Sequence, residues 1–279
     1  EMLISFRDRF NIPVSDDEIA EAPYYKPPED SPEVQYLRAR REALGGFIPT
    51  RRKMAPPHDI PDLSIFAGQM KDTGDREIST TMAFVRILTA ITRDKKLGKY
   101  VVPIVPDESR TFGMEGMFRQ LGIYSSVGQL YEPEDADHLM FYKEDKQGQV
   151  LQEGINEAGA MCSWIAAGTS YSNHNASMIP FYIFYSMFGF QRVGDLAWAA
   201  GDMQTRGFLI GGTAGRTTLA GEGLQHQDGH SLLHAAMIPN CRAYDPAFAY
   251  EMAVIIHHGM KRLYADQENV FYYITALND

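Results

Sequence analysis

The chain has 279 residues, 44% hydrophobic and 11% aromatic, which is enough apolar material to bury a substantial core. Acidic residues outnumber basic ones by 36 to 26, a net charge of −10, which excludes a general binder of the nucleic-acid backbone yet leaves room for a locally positive site. No apolar run is long enough to span a bilayer and no signal peptide opens the chain, so the expectation is a cytoplasmic protein with no membrane partner.

Glu1 is not an initiator Met and MLISFRDRF reads like the interior of something longer, so the chain is expected to be part of a larger protein. Residues 1–74 are rich in proline and charge, as in NIPVSDDE, EAPYYKPPEDSPE and FIPTRRKMAPPHDIPD. Helical pieces are expected at Ser5–Phe10 and Pro32–Ala43, with repeated X-Pro steps interrupting anything longer. We read 1–74 as a connecting segment and 75–279 as an α/β domain.

The pattern changes at DREISTTMAFVRILTAITRDKK, where Ile78, Met82, Val85, Leu88 and Ile91 recur at helical spacing. YVVPIVPD (100–107) follows as a buried strand. The polar stretch 123–149 has no sustained period and reads as a long functional or disordered loop. EGINEAGAMCSWIAAG (153–168) predicts a helix with Ile155, Ala158, Cys162 and Ile165 on one face. Further strands are expected at 178–187, 207–215, from 241 and at 270–278, with a helix over 188–205. Another helix is expected to be capped by Asp245, with Pro246 in its first turn and Phe248, Met252, Ile255, Ile256 and Leu263 on its core side. Cys162 and Cys241 lie in apolar stretches and read as buried free thiols.

Strands that alternate with helices and are apolar throughout imply a mostly parallel sheet flanked by helices on both faces. Ligands of such sheets sit beyond the carboxyl ends of the strands, here the loops 106–112, 185–190 and 213–230. One of these loops holds GEGLQHQDGHSLLH (221–234). His226, His230 and His234 have i, i+4, i+8 spacing, but Gly223 and Gly229 oppose a regular helix, and neither HExxH nor CxxC is present. A metal held by these histidines therefore has weak support, and His234 reads as a core or interface residue. Glu222 and His226, on a glycine-rich turn, are placed to reach a ligand.

Glu157 opens a helix whose next residues are almost free of polar groups. The helix amino end favours the charged carboxylate and apolar surroundings disfavour it. Both a solvated first-turn glutamate and a shielded, proton-sharing carboxylate fit that pattern. The rings of YIFYSMFGF are either core packing or a platform for a heterocycle, with the Tyr185 hydroxyl beside it. Asp107, Glu108 and Arg110 in PDESR suit a salt-bridged loop. GxxxxGK[ST], a dinucleotide fingerprint and GxSxG are missing.

Taken together, RFNIPVSD, EISTTMAFVR, PDESRTFGMEGMFRQLGIYS, YKEDKQGQVLQEGINEAGA, MIPFYIFYSMFGFQR, RGFLIGGTAGRTTLAGEGLQHQDGHS and AYDPAFAYE resemble the homodimeric type of the decarboxylating first component of the pyruvate dehydrogenase complex, a thiamine-diphosphate enzyme family. In that family the stretch is the pyrimidine-binding middle domain plus the segment leading into it, with a transketolase-like fold. The resemblance implies oxidative decarboxylation of pyruvate, acetyl transfer to lipoyl domains of the dihydrolipoamide acetyltransferase core, and a homodimer. It also implies thiamine diphosphate with Mg2+, whose diphosphate and metal ligands are expected in a preceding domain. By the same resemblance Glu157 hydrogen-bonds the aminopyrimidine ring nitrogen, Phe188 stacks on that ring and Ile155 lies near the bend of the cofactor. Tyr185, Glu222 and His226 surround the substrate, Asp107 and Glu108 share its cavity, His230 lies nearby, and 127–143 matches a loop that orders over the occupied site. Two alternatives are carried beside this: a transketolase-like or other 2-oxo acid thiamine enzyme, and an interaction fragment that is catalytically silent when isolated.

Overall fold

A computed structural model of the chain describes residues 1–47, 51–106, 109–134, 142–215 and 223–278. Their contacts form two compact units, Glu1–Arg51 and Arg52–Asp279. The first unit carries α1 (Met2–Phe10) and α2 (Pro32–Ala43). α2 begins at Pro32 because the Ser31 hydroxyl accepts the Val34 amide at 3.4 Å and proline suits the first helical turn.

The second unit contains α3 (Thr80–Arg93), β1 (Val101–Val105), α4 (Phe118–Leu121), β2 (Ile123–Tyr124), β3 (Glu144–Asp145), β4 (Leu151–Gln152), α5 (Glu157–Gly168), α6 (Ser170–His174), β5 (Ile179–Tyr185), α7 (Gly189–Asp202), β6 (Phe208–Gly212), α8 (Ser231–Ala236), β7 (Cys241–Tyr244), α9 (Ala249–Met260) and β8 (Phe271–Thr275). Among the described residues six strands form one sheet in the order β4-β1-β5-β6-β8-β7, every pair parallel. Side chains alternate across a strand, and here both sides are covered. Phe181, Ile183, Phe208, Ile210, Tyr272 and Ile274 pack with Phe84, Leu88 and Ile256 of α3 and α9. Tyr182, Phe184, Leu209 and Tyr273 pack with Met161 and Trp164 of α5 and Ala197 of α7. The inner strands β1, β5, β6 and β8 are therefore apolar along their length, as the sequence implies, with helices on both faces, while the edge strands β4 and β7 are only partly buried.

Several local expectations change. The Ser79 hydroxyl accepts the Met82 amide at 3.1 Å, which starts α3 at Thr80 and turns Phe84, Ile87, Leu88 and Ile91 inward. Ile78 consequently precedes the helix, and Met82 is 39% exposed. α5 begins four residues later than the periodicity suggests, because Asn156 Oδ1 accepts the Gly159 amide at 3.0 Å. Its buried face is Met161, Trp164 and Ile165, so Ile155 and Ala158 lie outside and Cys162 is exposed. Cys241 is buried, with its thiol pushed up to about 12 by that burial. α9 starts at Ala249 because the Glu251 carboxylate accepts the Ala247 and Phe248 amides at 2.8 and 3.0 Å. Asp245 instead accepts the Thr275 hydroxyl, and Phe248 is exposed. The polar stretch after Gly122 is not a plain loop. β2 and β3 pair with each other, and β4 extends the main sheet beyond β1. No helix among the described residues is long and apolar enough to cross a membrane.

Gly259 sets how closely α9 approaches the sheet. A methyl group there would lie 2.7 Å from the Phe208 ring and 2.9 Å from that of Tyr272. Replacing glycine by alanine within a helix ordinarily stabilises it by about 1 kcal/mol, but overpacking against rings costs about 1–3 kcal/mol. Gly259→Ala is thus expected to lower the midpoint of chemical denaturation, and a raised midpoint would contradict this packing. A thiol reagent should modify Cys162 in the native protein and Cys241 only under denaturing conditions; equal native rates would contradict the two environments.

Candidate active-site rim

Since the strands run the same way, their carboxyl ends share one rim. Three chain segments bring the candidate side chains to it. β5 ends at Tyr185 and passes through a 3-10 turn, Ser186–Phe188, into α7. Beyond β6 and Gly215, Gly223 adopts φ 81°, a conformation that favours glycine, and leads into a 3-10 turn over Leu224–His226. β4 ends at Gln152, and Glu157 opens α5 after a short link.

The first two segments meet ring to ring. The imidazole of His226 lies parallel to the Tyr185 ring, with centroids 4.7 Å apart and an interplanar angle of 2°. Phe188 stands edge-on to both, at 5.3 Å from His226 and 6.2 Å from Tyr185. Phe112, fully buried, backs Tyr185 at 5.1 Å. Aromatic contacts of this kind are each worth about 0.5–1.5 kcal/mol beyond area burial, so together they hold the imidazole's plane.

The third segment is joined through Arg192. Its Nη1 donates to Glu157 Oε1 at 2.6 Å, and its guanidinium carbon lies 4.3 Å from the centroid of Phe188. Only 16% of the Glu157 side chain is exposed, against 47% for Arg192. Solvent reaches the half-exposed Arg192 and screens the pair, so its main effect is geometric. Beneath Glu157, burial raises the pKa of Tyr182, and the carboxylates of Glu157 and Glu153 raise it further.

His230 joins the rim by another route: the Gln191 side-chain amide donates to its Nε2 at 2.7 Å. The ring of His234 is 5.4 Å from that of His230, not in the stack with Tyr185. Ile155 lies in the link before α5 with 71% of its surface exposed. Asp107, Glu108 and Glu222 lie outside the described residues, as do 135–141 of the expected closing loop. Among the described residues no group of three or more His, Cys, Asp or Glu side chains could hold a metal ion.

Two contributors went unassigned in the sequence. Arg192 stands four residues after Phe188, the spacing at which helical side chains meet, and that spacing in FGFQR was the available signal. Asp228 is buried, and its Oδ1 accepts the amides of His230 and Ser231, each at 3.0 Å. The Asp-x-x-Ser pattern before LLH is a helix-start signal that marks it. Burial pushes its carboxyl up, but the Ser231 hydroxyl and the two amides outweigh that and leave it below the usual carboxylate range.

Comparison with known proteins agrees with this architecture. Residues 58–279 match the family model described as the pyruvate dehydrogenase E1 component middle domain. The pyruvate dehydrogenase E1 component of Pseudomonas aeruginosa is 65% identical over 279 residues, all of this chain and 32% of that protein. Its counterpart in Escherichia coli K12 is 59% identical over 275 residues, 98% of this chain and 31% of that one. The chain thus spans about a third of the length of these relatives. Transketolases from Campylobacter jejuni and Leishmania mexicana superpose with a TM-score of 0.57 each, over 78% of this chain and 28% of theirs, at 16% and 14% identity, and so share the fold. The chain belongs to the pyruvate dehydrogenase E1 component middle-domain family.

Proposed function

We propose that this chain is the pyrimidine-binding and substrate-side part of a thiamine-diphosphate-dependent pyruvate dehydrogenase. The observation that carries the reading is the placement of Glu157 and Phe188. One planar, nitrogen-bearing group, the Arg192 guanidinium, touches both the carboxylate and the ring face. A flat aminopyrimidine asks for the same two contacts, a carboxylate at a ring nitrogen and an aromatic surface, so these residues fit the cofactor. The histidine stretch fits a polar substrate lining better than a metal cage, because His226 is stacked on Tyr185 while His230 and His234 pair elsewhere.

When bound, thiamine diphosphate supplies a nucleophilic carbon and a store for the electron pair left by decarboxylation. Glu157 would hydrogen-bond the pyrimidine ring nitrogen and hold the shared proton there. Phe188 would fix the plane of the ring, and Ile155 would lie near the cofactor's bend. Tyr185, Glu222 and His226 would line the substrate carboxylate, with Asp107, Glu108 and His230 in the same cavity. The segment 127–143 would close over the site and exclude water. Mg2+ and the diphosphate would be held by a preceding domain, with residues 1–74 as the connection into the α/β domain at 75–279. In the complete enzyme we expect a cytoplasmic homodimer that passes the acetyl group to lipoyl domains of an acetyltransferase core. The isolated chain, with only half of a cofactor site, would be catalytically silent. The transketolase alternative draws only on fold likeness, whereas the relatives at 59 to 65% identity are named pyruvate dehydrogenase E1 components.

Positioned proton transfer is typically worth about 10²- to 10⁴-fold in rate. Glu157→Ala in the full-length protein should reduce pyruvate decarboxylation by a factor in that range, while denaturation shows an intact fold. Normal turnover in this variant would refute the assignment.

A further inference from the structure

Among the described residues of the rim, the Asp228 carboxylate is held by three hydrogen bonds, and the stacked rings account for none of them. Its own amide donates to the Gly215 carbonyl at 3.0 Å, which ties the loop back to the end of β6. Its carboxylate accepts the amides of His230 and Ser231 at 3.0 Å and, on the other oxygen, the Ser231 hydroxyl. The Tyr273 hydroxyl in turn donates to Ser231 Oγ at 2.8 Å, and Tyr273 is fully buried on β8. These donors are neutral. A carboxylate 5% exposed is costly to bury unless donors satisfy it, and here amides and a hydroxyl do so.

The network also borders the segment that carries Tyr185. A methyl group at Gly211 would fall 2.2 Å from Tyr273 Oη and 3.0 Å from Ser186 Cβ, so Tyr273 and the first residue of the 186–188 turn crowd one spot that only glycine leaves open. Asp228 thus lies two residues from His226 and is linked through Ser231 to Tyr273, which crowds the turn that follows Tyr185. Gly223 at φ 81° and Gly229 flank the loop with flexible backbone. A fixed point between them sets where the loop delivers the imidazole to the ring stack.

We propose that Asp228 is a positioning residue: its buried carboxylate, tied to the sheet through Ser231 and Tyr273, locks the 224–230 loop so that the His226 ring lies flat on Tyr185 and presents a fixed edge to the substrate. The reaction-related half of this statement rests on the role proposed above for His226; the geometric half does not. Asp228→Asn keeps the oxygen that accepts the His230 and Ser231 amides but replaces the one that accepts the Ser231 hydroxyl, so the link through Ser231 to Tyr273 must reverse or break, which loosens the loop. Tyr273→Phe keeps the ring and removes only the link to Ser231, which gives a milder release should Asp228→Asn fold poorly.

The test uses the full-length protein, with a crystal structure and steady-state kinetics for Asp228→Asn, Tyr273→Phe, His226→Gln and the double variant Asp228→Asn/His226→Gln. The expected result is loss of the parallel Tyr185–His226 stack in Asp228→Asn. Its kcat for pyruvate should fall about tenfold or more, thiamine diphosphate affinity should stay within about twofold, and the double variant should be no slower than His226→Gln alone, as two residues acting in one unit require. Tyr273→Phe should show the same pattern at smaller size. Retention of the stack in both single variants overturns the proposal. So do losses that multiply in the double variant, or a fall in cofactor affinity that tracks kcat, either of which makes Asp228 a general structural cap. Unchanged kcat in His226→Gln would sink the functional role of His226 instead, while the crystal structures still decide whether Asp228 fixes the ring.

Discussion

Parallel pairing of β1, β5 and β6 is the constraint on which the rest of the molecule depends. Tyr182 pairs with Ile104 on one side and Leu209 on the other, and Tyr185 pairs with Gly212, so neighbouring strands finish within a few residues of each other. A parallel ladder can be built only with crossovers, and those that carry α5, α7 and α9 pack these helices against the faces of the sheet. What leaves the carboxyl ends is therefore forced onto a common edge. The edge strand β4 matters in the same way. Val105 pairs with Gln152, which delivers the start of α5, and hence Glu157, to the rim from the side. A slip of one residue would turn every side chain to the opposite face of the sheet.

On that edge, rigid and adjustable groups are separated. Phe112, Tyr185, His226 and Phe188 form a ring assembly backed by the core, and Asp228 is anchored through Ser231 to a tyrosine of the sheet. Arg192 is the contrast: half exposed, on a long side chain, it holds Glu157 and lies over Phe188. Its helix is locally irregular, with Val193 at φ −127° and ψ 22°. The Glu157 side chain is thus the more enclosed partner of the pair and the Arg192 side chain the more exposed one.

Much of the fold was legible because buried parallel strands leave an unmistakable trace. IPFYIFY and FYYIT are apolar on both faces and can satisfy that pattern only between two helical layers. Caps were less legible than cores. The starts of α3, α5 and α9 are set by Ser79, Asn156 and Glu251, single side chains whose partners are amides. Periodicity counts apolar residues and does not register such bonds, so it began α5 too early and gave α9 the wrong cap. The two-residue strands β2, β3 and β4 are too short to show any period. For the rim, the residues alone left Glu157, Tyr185 and His226 open between ordinary and functional readings, and the family resemblance supplied their roles and that of Phe188, whereas neither marked Arg192 or Asp228. A charged residue in an apparent helix and an aspartate before one are ordinary in a sequence. Their importance arises from what they touch across the fold.

In the proposed function the carboxylate at the mouth of α5 would serve a flat nitrogen base lying on Phe188. A crystal structure of the full-length protein with thiamine diphosphate and Mg2+ tests this most directly. The expected result is a Glu157 oxygen within about 3.2 Å of the pyrimidine ring nitrogen, ordinary hydrogen-bonding distance, with the pyrimidine face against Phe188. A Glu157 side chain directed into solvent while another acid contacts that nitrogen would contradict it.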